Sequence, residues 1–215
     1  MDAKQIADWS NGIFGWVDGQ VGGWRTYTHE ECYQLAKAGL ETVPEGGMIM
    51  EIGTYTGLSS AVLLQVAREK KARIALIDMF MWNQGFEKGE VEAKMRSVLC
   101  QFPDVWWRMY WTSSEVATKI AAASCRTGGV VCPPFIDHNI DYMHIDGDHM
   151  NVKGDCELWF HHLKDKCAVA FHDANPDPRA PIGNMVVADA LKWTEGWREM
   201  YWTRDDHCLM IRGRG

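Results

Sequence analysis

The chain has 215 residues, with 22 basic against 29 acidic side chains and a net charge of −7. That balance excludes a whole-chain basic footprint for nucleic acid and makes an anionic membrane surface a poor partner. Hydrophobic residues at 47% and charged residues at 24% fit a soluble globular chain that buries a core without staples. No apolar run approaches the roughly 20 residues of a membrane helix. Met1-Asp2-Ala3-Lys4 lacks the apolar stretch of a signal peptide, so the expected location is the cytoplasm. Seven cysteines, at 32, 100, 125, 132, 156, 167 and 208, are scattered without a Cys-x-x-Cys pair. They read as reduced thiols rather than a disulfide framework or zinc site.

Residues 1–27, rich in Gly and Trp, read as a short helix followed by an irregular cap; residues 1–45 form an N-terminal helical cap on a single domain. Thr28-His29-Glu30-Glu31 has the form of a capping box, and the helix it opens runs to about Leu40. Pro44-Glu45-Gly46-Gly47 breaks the chain before a short buried strand, Met48 to Ile52. Gly53 to Gly57 is a turn and Leu58 to Lys70 a helix. A strand from Arg73 to Phe80 follows, then a helix near 88–101, a strand from Val105 to Trp111 and a helix from Glu115 to Ala123. Residues 124–138, with Gly128-Gly129 and Pro133-Pro134, read as a loop.

Ile140 to Ile145 is a fourth strand, followed by a helix with Val152, Cys156, Trp159, Phe160 and Leu163 on one stripe. Ala168 to His172 is a fifth strand. The loop 174–182 leads to a helix near 184–194, and strands near 198–203 and 207–212 close the chain as a hairpin. Strands alternating with helices imply an α/β fold: one Rossmann-like, doubly wound sheet of about seven strands. It is mostly parallel, with helices on both faces and a C-terminal antiparallel hairpin. Ligands bind such sheets beyond the carboxyl ends of the strands. Glu51, Gly53, Asp78, Asp146 and Asp173 all fall there.

The turn after the first strand allows close approach of a ligand at Gly53, with helix amides near Ser59 and Ser60 placed to bind an anion. Asp78, some twenty residues on, stands where an acid binds ribose hydroxyls. Asp146 and Asp173 end neighbouring strands about 4.8 Å apart, close enough to share a divalent cation such as Mg²⁺, Ca²⁺ or Mn²⁺. His149, on the loop above the sheet, is a candidate general base.

These residues resemble the class I S-adenosylmethionine-dependent methyltransferases, in particular the small-molecule O-methyltransferase-like branch. The resemblance rests on Glu51-Ile-Gly-Thr-Tyr-Thr-Gly-Leu-Ser59 and Ile145-Asp-Gly-Asp-His149, supported by Asp155-Cys-Glu-Leu-Trp159 and Ala170-Phe-His-Asp173. It implies that Glu51, Gly53, Thr54, Tyr55, Gly57 and Ser59 surround the methionine end of S-adenosylmethionine. Asp78 then binds the ribose, Ser113 lies near the adenine, and Asp146 borders the cofactor. The resemblance also implies a cation on Asp146 and Asp173. The usual Asn after the second Asp is Ala174 here, so His172 or Asn175 could supply the third ligand, or the site holds no metal. The implied reaction is in-line methyl transfer to an acceptor oxygen, with His149 and Asp146 as the catalytic pair. The partner is a small-molecule acceptor, with no nucleic acid or membrane, and a homo-oligomer is compatible. Trp9, Trp16, Trp24 and Trp82 are candidates to line the acceptor pocket. Two other readings stand beside this one. A nicotinamide-dependent oxidoreductase would use Tyr33 and Lys37, although that pair precedes the glycine turn. A non-catalytic S-adenosylmethionine-binding protein would keep the fold alone.

Overall fold

In the computed structural model, residues 1–21, 27–79, 89–121, 125–127, 130–132, 135–136, 139–203 and 208–215 are described. The order is α1 (Ala3–Val21), α2 (His29–Thr42), β1 (Met48–Ile52), α3 (Leu58–Glu69), β2 (Arg73–Ile77), α4 (Glu90–Leu99), β3 (Trp106–Tyr110) and α5 (Ser114–Ala121). There follow β4 (Cys125–Thr127), β5 (Val130–Cys132), β6 (Ile140–Ile145), α6 (Val152–Trp159), a 3₁₀ turn (Phe160–His162), β7 (Leu163–Phe171), α7 (Pro181–Trp193), β8 (Arg198–Trp202) and β9 (Met210–Arg214).

Seven strands form one sheet in the order β3-β2-β1-β6-β7-β9-β8. β1, β2, β3, β6 and β7 run parallel, and β9 runs antiparallel to both β7 and β8. The chain moves outward from β1 to β3, then returns to the other side of β1 at β6. That reversal opens a crevice at the carboxyl ends of β1 and β6.

All residues of β1 and β6 are buried, as expected for strands covered on both faces. The two-residue period splits them cleanly. Ile49, Tyr142, Ala168 and Ala170 join the core beneath α1, α2 and α3. Met48, Met50, Met143, Val169 and Phe171 join the core that holds Cys156 and Trp159 of α6 and Val186 of α7. Glu51 shares the face of Ile49, and His144 that of Tyr142. The polar residues of both central strands therefore point toward the α1–α3 layer.

Three expectations from the sequence need correction. α1 is 19 residues long, not a short helix. Gly12, Gly15 and Gly19 lower its propensity, but Ile6, Ala7 and Ser10 are wholly buried, and packing on α2, α3 and α4 decides the outcome. β4 and β5 pair as a short ribbon inside the expected 124–138 loop. β7 begins five residues before Ala168, because Lys164, Asp165 and Lys166 hide the strand's start in the pattern. The closing strands form the expected antiparallel pair, with β9 against β7 and β8 outermost. Among the described residues, no helix is long and apolar enough to cross a membrane.

Gly53 has φ 82°, and a Cβ there would lie 2.1 Å from the Asp146 carbonyl oxygen. Gly53 thus approaches the backbone of Asp146 and Gly147, where the sequence suggested a ligand. Gly57, φ 97°, lets α3 pack on Met95 and Val98 of α4 rather than on a strand. Gly46 is also left-handed, φ 74°, but a Cβ there meets nothing within 4 Å. Gly46→Ala should therefore cost only backbone strain, about 1–2 kcal/mol. Gly53→Ala adds a backbone collision and should lower the urea midpoint far more or prevent folding. Equal midpoints for the two variants would contradict the close approach.

Asp155 of α6 is 4% exposed, and burial pushes its carboxyl up to about 6 against a pull from the Ser114 hydroxyl. The folded state therefore holds a proton that the unfolded chain releases between about pH 4 and 6. This group opposes folding increasingly as pH rises through that window. Asp155→Asn should stabilise the protein by about 1–3 kcal/mol at pH 7.5 and by little near pH 4, read from urea unfolding. A gain that is the same at both pH values would contradict the assignment.

Candidate active site

The turn after β1 is held from β2. The Gly53 amide donates to the Ile77 carbonyl at 2.8 Å. The Thr54 and Tyr55 amides each donate to Asp78 Oδ2 at 2.8 Å, and the Thr54 hydroxyl lies 3.3 Å from the same oxygen. Asp78 thereby fixes the turn's shape, and Tyr55 takes a left-handed φ of 44° within it. The N-terminus of α3 begins at Gly57 without a side-chain cap, so its first amides are presented for an anionic group. Ser59 and Ser60 are buried beneath that terminus. Ser113, half-buried beyond the end of β3, accepts a hydrogen bond from the Val116 amide at 3.3 Å.

Glu51 is wholly buried, and its carboxylate is engaged on both sides. Ser60 Oγ donates to Oε2 at 2.5 Å, and His144 Nδ1 lies 3.1 Å from Oε1. Register explains the second contact, since Glu51 stands opposite His144 on the same face of neighbouring strands. Glu51 accordingly shows no surface toward the crevice, in contrast to the role that the resemblance implies.

Asp146 follows β6 and collects three polar partners, with a fourth group behind them. The Tyr27 hydroxyl donates to Oδ2 at 2.7 Å. His149 Nε2 and His172 Nδ1 approach Oδ1 at 3.2 and 3.1 Å. His144 reaches the group through Tyr27, its Nε2 lying 2.9 Å from the Tyr27 oxygen. Burial alone would raise the Asp146 carboxyl, but the His172 charge and the bonds from His149 and His172 hold it far below the usual range. Burial would lower His172, yet the Asp146 carboxylate outweighs it and pushes the imidazole up to about 9. His149 is likewise raised, its burial opposed by Asp146 and then Asp173.

Asp173 follows β7 with a left-handed φ of 54°, a conformation Asp tolerates better than most residues. The bend brings Oδ2 to 3.3 Å from His149 Nε2 and 3.6 Å from His172 Nδ1. Ligand atoms of Asp146, His149 and Asp173 all lie within 4.8 Å of one another, which is cation-site spacing. His149, expected as the base, thus sits among the candidate ligands. Of the two expected third ligands, His172 adjoins the cluster, whereas Asn175 spends its Oδ1 on the Asp177 amide at 2.8 Å.

Tyr27 and His144 escape the sequence reading, which gives Glu31 only a capping role and Ser60 only a helix-terminus amide; Tyr27 and Glu31 come from the N-terminal layer. Tyr27 stacks on His172 at 4.0 Å, and the Glu31 carboxylate lies 3.8 Å from His172 Nε2. His144 offers one retrospective signal, a titratable residue in a fully buried strand opposite another. Trp9 packs edge-on against Phe102 at 5.3 Å. With Gly12, Ile13 and Gln101 it lines a separate cleft of about 420 Å³, apart from the acid–histidine cluster. Trp24 and Trp82 lie outside the described residues, as does the side chain of Trp16. Tyr33 and Lys37 lie on α2, and Lys37 is exposed.

Comparison with known proteins gives the same architecture. The SAH-bound Podospora anserina methyltransferase PaMTH1 is similar over 96% of this chain and 88% of that one, with 12% identity and a TM-score of 0.62. A Staphylococcus aureus protein proposed to be a caffeoyl-CoA O-methyltransferase gives 13% identity, a TM-score of 0.54 and coverages of 79% and 76%. Spermidine synthase from Thermotoga maritima gives 14% identity and a TM-score of 0.58, over 86% of this chain and 60% of that one. At such identities these structures establish the fold alone. No curated protein matches the chain. A family model described as a methyltransferase domain matches residues 50–174, the stretch from Glu51 through the glycine turn, Asp78 and Asp146 to Asp173. With more than half of its length and every strand-end acid inside that match, the chain belongs to the methyltransferase-domain family.

Proposed function

We propose that the protein transfers the methyl group of S-adenosylmethionine to an oxygen of a small-molecule acceptor, with a divalent cation held by Asp146, His149 and Asp173. The carrying observation is the convergence of these three residues beside the glycine turn, where Gly53 and the Asp146 backbone are in direct contact. Three features at the strand ends support cofactor binding. α3 presents uncapped amides for its carboxylate, Asp78 stands at the end of β2 for its ribose, and Ser113 follows β3 near the expected adenine end. Bound S-adenosylmethionine supplies an electrophilic methyl on sulfur. The protein's share is alignment, because holding acceptor and methyl in line removes most of the entropic barrier.

The donor set also fits a cation. Two carboxylates and an imidazole of compatible spacing suit Mn²⁺ better than Mg²⁺ or Ca²⁺, which prefer oxygen alone. A cation held there would lower the pKa of an acceptor hydroxyl. Asp146 and Asp173 supply the negative charge that recruits it. His172 stays behind them, 3% exposed, stacked on Tyr27 and facing Glu31. It is placed to orient Asp146 rather than to meet an acceptor. The acceptor lies over the ends of β6 and β7, beside His149. Without a cation, His149 is the only imidazole of the cluster placed to receive the acceptor's proton, and its two neighbouring carboxylates favour its protonated form.

Calorimetry tests both halves. S-adenosylmethionine should bind and NAD⁺ should not. Asp78→Ala should weaken S-adenosylmethionine at least tenfold, since a charge-assisted acceptor is worth about 1.5–3 kcal/mol. Asp173→Asn should abolish Mn²⁺ binding and slow turnover while leaving cofactor affinity within about twofold. NAD⁺ binding without S-adenosylmethionine binding would overturn the cofactor reading. EDTA-insensitive turnover would overturn the cation.

A further inference from the structure

The geometry points to Tyr27 as a positioning residue that fixes the Asp146 carboxylate through a buried hydrogen-bond chain anchored at Glu51. The inference rests on the proposed cation reading and assigns the site a residue outside the 50–174 methyltransferase match. The chain of contacts is continuous. Ser60 Oγ donates to Glu51, Glu51 meets His144 Nδ1, His144 Nε2 meets the Tyr27 oxygen, and the Tyr27 hydroxyl donates to Asp146 Oδ2. Ser60, Glu51 and His144 are wholly buried, and Tyr27 is 5% exposed.

Donor and acceptor counting sets the direction of the last two links. An ionised carboxylate only accepts, so the single Tyr27 proton goes to Asp146. The Tyr27 oxygen must then accept from His144 Nε2–H. With Oδ2 so committed, Asp146 turns Oδ1 toward His149 and His172. His149 Nε2, which meets Oδ1, also lies 3.3 Å from Asp173 Oδ2.

Tyr27 is mounted at the start of α2 and against His172. Thr28 N-caps α2, and a capping box is complete, with Glu31 Oε2 accepting from the Thr28 amide at 2.7 Å. The Tyr27 ring stacks on His172, interplanar angle 21°. The N-terminal layer therefore delivers an orienting hydroxyl to a site whose proposed ligands follow β6 and β7. Partners of this kind typically change metal affinity 10–100-fold when removed.

Tyr27→Phe keeps the ring on His172 and deletes the hydroxyl. Free Mn²⁺ is measured by electron paramagnetic resonance against wild type and Asp173→Asn, with S-adenosylmethionine affinity by calorimetry and folding by near-ultraviolet dichroism. Tyr27→Phe should weaken Mn²⁺ about 10–100-fold and leave S-adenosylmethionine affinity within twofold, a split that general loosening of the fold would not give. Thr28→Ala, which slackens the mount, should weaken Mn²⁺ severalfold and serves if Tyr27→Phe does not fold. Wild-type Mn²⁺ affinity in a folded Tyr27→Phe protein, or in Thr28→Ala should Tyr27→Phe not fold, overturns the role of Tyr27 and leaves the cation site standing. No Mn²⁺ binding by wild type overturns both.

Discussion

A largely desolvated carboxylate keeps its charge only where enough donors meet it, because desolvation costs more than a single bond returns. Asp146 meets that condition at the end of β6 through Tyr27, His149 and His172. Each partner comes from a different part of the chain: the N-terminal layer, the loop after β6, and the end of β7. The carboxylate thus ties three segments together. Its backbone does the same for a fourth, since the Asp146 carbonyl lies where any side chain on residue 53 would have to go.

The site inherits its layout from strand order. Parallel pairing of β1, β6 and β7 puts their carboxyl ends in a row. The two-residue period then sends Glu51, His144 and His172 toward the layer of α1, α2 and α3. A polar seam runs beneath the crevice on that face, while the opposite face stays apolar under α6 and α7. Two acids serve frames rather than ligands alone. Asp78 locks the glycine turn, and Glu31 completes a helix cap while facing His172.

The sheet was legible in the sequence because buried parallel strands are short, mainly apolar runs with acids at their ends; Met48–Ile52 has that form, and Ile140–Ile145 approaches it with Asp146 at its end. The capping box at Thr28 was legible for the same reason: its signature is local. What escaped depends on contacts between distant segments. α1 survives three glycines because Ile6 and Ala7 are buried, which no local pattern records. Glu51 looked like a ligand contact because it ends a strand near a glycine turn, and only the register opposite His144 shows where its carboxylate goes. Tyr27 itself belongs to no motif, although the capping box opens at the next residue. Its role exists only once α2 lies over the ends of β6 and β7.

The central claim is that Asp146, His149 and Asp173 form one cation site at the mouth of the crevice. Anomalous diffraction from a crystal soaked in Mn²⁺ tests it most directly. The account predicts a single strong peak bonded to all three side chains, with the Tyr27 hydroxyl still on Asp146 Oδ2. The absence of a peak there, with Asp146 and Asp173 bound only to protein groups, would contradict it.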